Sequence, residues 1–164
     1  MKVSASIVVG DIDEYRIGFE TIESGFLPEE VFNYLKEEGI EIVEVLLDRV
    51  KGSSNTSITI LSEISSIISR FFNDNKNVIL YFFCDDLNEI PCSEKGIDPQ
   101  TYRSRLFSAM YERFTINHKT LGINNISIYI DAVGRNEYLH FIVRDLHLKY
   151  IDFIQKHIED VYQK

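Results

Sequence analysis

Apolar and polar positions change period several times along this chain, and each change marks an element. Val3, Ala5, Ile7 and Val9 fall on one side of an alternating stretch, and Tyr15, Ile17 and Phe19 alternate again. The GDIDE segment between them supplies a turn, so the pattern predicts an antiparallel hairpin. Pro28-Glu29-Glu30 then opens a short helix with its acids in the first turn, where the helix dipole favours them. Val31, Phe32 and Leu35 form its inner face, and Gly39 is placed to end it. Ile40 to Val50 reads as a strand, and Lys51 to Ser57 (KGSSNTS) as a short connection within one domain. In Ile58 to Phe72, Leu61, Ile64, Ile68, Phe71 and Phe72 recur at three- and four-residue steps, which predicts a helix.

Val78 to Cys84 is a continuous apolar run, the mark of a strand covered on both faces. It ends abruptly in Asp85 and Asp86. After a polar loop, Asp98-Pro99 opens a helix over 99–117, with Asp98 as N-cap and Pro99 at the first helical position. Tyr102, Leu106, Phe107, Met110, Tyr111 and Phe114 spread a broad apolar face along it. Asn125 to Val133 and Glu137 to Val143 alternate as two strands around a tight Gly134-Arg135-Asn136 turn. Arg144 to Tyr162 reads as a final helix with Leu146, Tyr150, Ile151, Ile154, Ile158 and Val161 inward. Hairpins at both ends with a strand-helix-strand-helix middle predict an α+β, mixed α/β fold: roughly six strands in a mixed sheet and about four helices.

At 164 residues the chain fits a single domain spanning 1–164. Aromatic residues make up 12%, from Phe and Tyr with no Trp, so core material is ample. The net charge of −9 disfavours nucleic acid as a partner, because affinity for phosphate backbones comes from Lys and Arg. A basic stripe of Arg103, Arg105, Arg113 and Lys119 is the one feature that would offset this. Cys84 sits in an apolar strand and is expected to be a reduced core thiol, and its spacing from Cys92 is not that of a zinc pair. No secretion signal and no apolar run of membrane-span length are visible, which predicts a cytoplasmic protein without membrane attachment.

Candidate chemistry gathers at the end of the central strand. Asp85 and Asp86 lie where open α/β sheets place ligands, which is also where a strand simply meets water. Arg103 lies four residues before Phe107 and so shares its face, where a buried charge needs a partner. Asp85 or Asp86 would supply one. An ion pair pinning helix to strand and a clamp for phosphate or carboxylate both fit this arrangement. Arg105 falls on another side and is expected to be exposed. His140 lies in an alternating strand, and Arg144, Asp145 and His147 form a polar knot at a strand-to-helix junction. A phosphodiesterase could pair such a histidine with an arginine, whereas a plain junction would use Asp145 as a helix cap. Glycine-rich phosphate loops, GxSxG and HExxH are absent, and no metal or other cofactor is expected.

The pattern YFFCDD, a loop and YRSRLF, preceded by TILSEISSIISRFFNDNKN, resembles an uncharacterised family of small bacterial proteins, mostly from Bacteroidetes. In that family a strand ending in Cys-Asp is followed by a helix with Arg-x-Arg-Leu-Phe. Cys84, Asp85, Arg103, Arg105, Leu106 and Phe107 match it. The resemblance covers about the middle third of the chain, with a weaker echo in EYRIGFET, and implies no reaction. The sequence therefore supports a non-enzymatic bacterial binding or accessory protein of immunity, antitoxin or defence type, or a self-associating subunit. Its partner would be another protein or a second copy. The alternative is an enzyme or nucleotide sensor for phosphate ligands. Ligand or partner contacts would come from Asp85, Asp86, Arg103, Arg105, His140, Arg144 and His147.

Overall fold

Eleven elements are formed in the order β1 (Lys2–Val9), β2 (Asp13–Ile22), α1 (Glu29–Glu37), β3 (Glu41–Lys51), α2 (Ile58–Asp74), β4 (Val78–Cys84), α3 (Pro99–His118), β5 (Ile123–Ala132), β6 (Arg135–Arg144), a 3-10 turn (Asp145–His147) and α4 (Leu148–Tyr162). They come from a computed structural model that describes residues 2–9, 13–23, 25, 27–51, 57–84, 96–119, 121–132 and 135–162. The strands make one mixed sheet in the order β1-β2-β3-β4-β6-β5. Only β3 and β4 pair in parallel, joined by the α2 crossover; every other neighbouring pair is antiparallel. The α+β class expected from the terminal hairpins and the central crossover is the class of the structure.

The strand period of two divides the core into two layers. Val78, Leu80 and Phe82 of β4 face α2 and α3, together with Tyr15, Ile17 and Phe19 of β2 and Val43 and Val45 of β3. Ile79 and Tyr81 face the other way, with Leu139, Phe141 and Val143 of β6, against α1 and α4. The continuous apolar run of β4 is thus explained: both of its faces are covered. Burying each such side chain contributes about 1.5–3 kcal/mol before the cost of ordering. Phe71 of α2 stacks on Phe19 with ring centroids 3.9 Å apart, tying the helix to the outer hairpin. Cys84 is buried at the end of β4.

Helix ends depart from expectation in instructive ways. Asp98 holds the N-cap backbone conformation of α3, but its carboxylate makes no capping bond; its carbonyl accepts from Tyr102 N instead. The last helix begins later than its apolar spacing suggested. Arg144 is still in β6, and Asp145 to His147 make a 3-10 turn before α4 starts at Leu148. Leu146, expected to face inward, is consequently out of phase with α4 and 68% exposed. Gly10 to Ile12 of GDIDE, most of KGSSNTS and the centre of the last hairpin turn lie outside the described residues.

The end of α1 follows its sequence closely. Gly39 N donates to Lys36 O at 3.1 Å and Ile40 N to Leu35 O at 2.8 Å, the double bond of a left-handed helix stop. Gly39 takes φ +72° there, which a side chain resists although no atom lies in its way. Gly39→Ala should therefore cost about 1 kcal/mol in urea unfolding with an unchanged circular dichroism spectrum. A loss below about 0.3 kcal/mol would mean that this stop does not hold the α1–β3 connection.

Candidate functional site

The main polar cluster lies under α3, on the sheet face it covers. His140 of β6 is wholly buried. Its Nε2 stands 2.8 Å from Ser104 Oγ on α3, and its Nδ1 stands 3.1 Å from Asn125 Oδ1 on β5. An amide oxygen can only accept, so Nδ1 carries the proton and Nε2 accepts from the serine hydroxyl. Phe107 closes the site with its ring 5.1 Å from the imidazole, nearly edge-on. Burial lowers the His140 pKa to about 4, so the ring is neutral at physiological pH.

The order serine, histidine, amide is that of a nucleophile, a base and an orienting group. The setting argues for a structural link. Ser104 is only 8% exposed, and the imidazole has lost most of its affinity for a proton. A base needs a pKa near the working pH to be efficient. The chain does satisfy three polar groups that would otherwise be stranded, and it fixes the angle at which α3 crosses β5 and β6.

The other sequence candidates are dispersed. Arg144 lays its guanidinium 3.8 Å over the Phe72 ring and donates to Phe72 O, and to Lys76 O at 2.9 Å. It thus binds carbonyls at and just beyond the C-terminus of α2, where the dipole favours a cation. Burial lowers its pKa. His147 turns the other way, toward α4, and is buried with its ring 6.0 Å from that of Tyr150. Burial, then Arg144 and Lys149, lower its pKa. Asp145 does not serve as a side-chain helix cap; its carboxylate accepts from Asn124 Nδ2 at 2.7 Å. The polar knot is therefore a junction whose side chains diverge.

Arg103 is half-buried and lines a cavity of ≈ 140 Å³ with Glu44, Asp48, Cys84 and Phe107, as its shared face with Phe107 required. Arg105 is exposed. Asp85 and Asp86 lie outside the described residues. Among the described residues no group of three His, Cys, Asp or Glu side chains is placed to hold a metal ion. No described helix is long and apolar enough to cross a membrane.

A second feature lies outside the polar cluster. Between α2 and α3 runs a groove of ≈ 440 Å³ floored by Leu61, Leu106, Met110 and Phe114. Ile58 and Ile116 belong to its lining and are 60% and 75% exposed. Beneath it an apolar cavity of ≈ 50 Å³ lies among Ile68, Phe72, Leu80, Met110 and Ile142. Among the described residues, Ile58 and Ile116 thus leave apolar surface exposed beside the contact between the two helices.

Ser104 and Asn125 were not legible as site residues. The available signal for Ser104 is its spacing: with Phe107 and Tyr111 it falls at i, i+3 and i+7, so a small polar group sits on an apolar stripe. No family model, no curated protein and no solved structure matches this chain.

The depressed His140 pKa has a signed consequence. The folded state holds the ring neutral down to about pH 4, whereas the unfolded chain takes up a proton near 6.5. His140 thus favours folding fully above pH 6.5 and loses that contribution as the pH falls toward 4. The urea midpoint should fall between pH 7 and about 4.5, and less steeply in His140→Gln. Equal slopes would place the acid sensitivity elsewhere. Arg144→Met keeps the stem over Phe72 and removes the carbonyl bonds, so it should cost about 1–3 kcal/mol in the same assay. Arg105→Ala, on the exposed side, should stay within about 0.5 kcal/mol of wild type.

Proposed function

We propose that this is a non-enzymatic binding protein that takes an amphipathic helix of a protein partner into the groove between α2 and α3. The supporting observation is the exposed pair Ile58 and Ile116 beside an apolar floor of Leu61, Leu106, Met110 and Phe114. α3 carries apolar residues around most of its circumference, which a surface helix with only one packed face does not need. Glu112 and Arg113 also line the groove and suit the polar flank of such a helix. Met110 suits a surface that adapts to its ligand.

The polar groups most suited to catalysis have other employment: His140 and Ser104 join α3 to the sheet, and Arg144 holds the end of α2. An accessory role in a bacterial cytoplasm, of immunity, antitoxin or defence type, agrees with these features and with the resemblance of the central segment to a small bacterial family. The phosphate-ligand reading would need Arg103 to turn toward an anion in its cavity, and two acidic residues, Glu44 and Asp48, line that same cavity and disfavour negative charge there.

Ile58→Glu and Ile116→Glu together test the groove. Both sites are exposed, so stability should change by less than about 1 kcal/mol. A partner identified with the wild-type protein and rebuilt from purified components should bind the double variant about 100-fold more weakly by calorimetry. Unchanged affinity would move the docking surface elsewhere. Hydrolytic turnover of any phosphate or ester substrate that Ser104→Ala abolishes would replace this reading with an enzymatic one.

A further inference from the structure

The edge of the sheet formed by β5 supports an inference independent of the groove. A strand at a sheet edge offers a row of unpaired backbone donors and acceptors, and proteins that remain single guard such edges. The usual guards are brevity, lysine, proline, a bulge or a covering element. β5 has few of them. It is 10 residues long and reads INNISIYIDA, without lysine, arginine or proline. Its pairing with β6 runs unbroken from Ile123↔Arg144 to Ala132↔Arg135, whereas the β2–β3 ladder contains a register shift at Glu14/Tyr15. Ser127 and Asp131 are exposed and Tyr129 is 49% exposed, so α3 does not cover this end of the face. The opposite edge, β1, begins with the guarding residue type, Lys2.

We propose that β5 is a self-association edge, pairing antiparallel with β5 of a second copy of this chain across a two-fold axis. The choice of a second copy rests on self-complementarity. A two-fold axis normal to the sheet requires facing residues to share a face, and centring it on Ile128 meets that condition. Ile126 then faces Ile130, Ser127 faces Tyr129, and Asn125 faces Asp131. Asn125 already turns its Oδ1 to His140, which directs its amide NH₂ the other way, toward the partner's acid. Asp131 is the lone charge on β5 of a chain with net charge −9, and this register keeps the two copies of it apart. An acidic protein can associate with itself only where its acids are sparse, and this edge is such a place. The product is one continuous sheet through both subunits, with a β5–β5 seam at its centre.

Charge exchange at the facing pair Ser127 and Tyr129 tests the seam. One variant carries Ser127→Lys with Tyr129→Lys, the other Ser127→Glu with Tyr129→Glu. Both positions are exposed, and thermal melts check that each variant folds. Sedimentation velocity of the wild type at about 100 µM should show a dimer. Each variant alone places like charges opposite one another and should dissociate about 100-fold more readily. An equimolar mixture of the two should restore a mixed dimer, seen as a single species of intermediate mass by native mass spectrometry. A monomeric wild type at that concentration overturns the proposal. So does a dimer that survives in the lysine variant, or variants that fail to recover on mixing. Because Ile58 and Ile116 are untouched, loss of this dimer leaves partner binding in the groove to be judged separately.

Discussion

Everything in this molecule depends on β4 being covered on both faces. A seven-residue strand that is apolar throughout cannot tolerate water on either side. The chain meets that demand with two pairs of helices. α1 and α4 close one face, and α2 and α3 close the other. The two coverings are built differently. On the α1–α4 side Tyr34 packs against Phe153 with ring centroids 4.9 Å apart, and Tyr150 donates to Glu38 at 2.8 Å. On the α2–α3 side a cavity and a groove remain. The α1 side has a hollow of its own, ≈ 570 Å³ among Ile22, Leu27, Phe32, Leu35 and Ile40.

Polar residues add to the apolar packing that holds α2 and α3 to the sheet. His140 and Arg144 lie four apart on β6, and each reaches a different helix. His140 bonds Ser104 of α3, and Arg144 bonds the end of α2. Each helix is thus tied to β6 by its own polar bond, in addition to the contact that the two helices make with each other. His140 and Arg144, two of the residues singled out in the sequence as candidate contacts, are used by the architecture to fix its helices.

The main elements were legible because their apolar periods were clean. β4, α2 and both hairpins follow directly from spacing, and Gly39 ends α1 through its left-handed backbone. The start of α4 was not legible, because Leu146 continues the apolar spacing one turn too early. A 3-10 turn has a different period, which composition does not announce. The partnership of His140 with Ser104 and Asn125 was hidden for another reason. It joins three elements distant in sequence, and only the β5–β6 register and the placement of α3 bring them together. Arg144 misled similarly, since its role depends on the end of a helix 68 positions away.

The strand order carries a consequence for how the chain reaches this state. β1, β2 and β3 form one antiparallel unit from neighbouring segments, and β5 with β6 forms another. β4 alone connects them, in parallel with β3 and antiparallel with β6. The two hairpins can close over short turns and β3 can join β2 across α1, but β4 must wait for the longer connections through α2 on one side and through α3 and the last hairpin on the other. Loop-closure entropy therefore favours insertion of β4 after the two units have formed. Until it occurs, the inner edges of β3 and β6 stand open to the solvent.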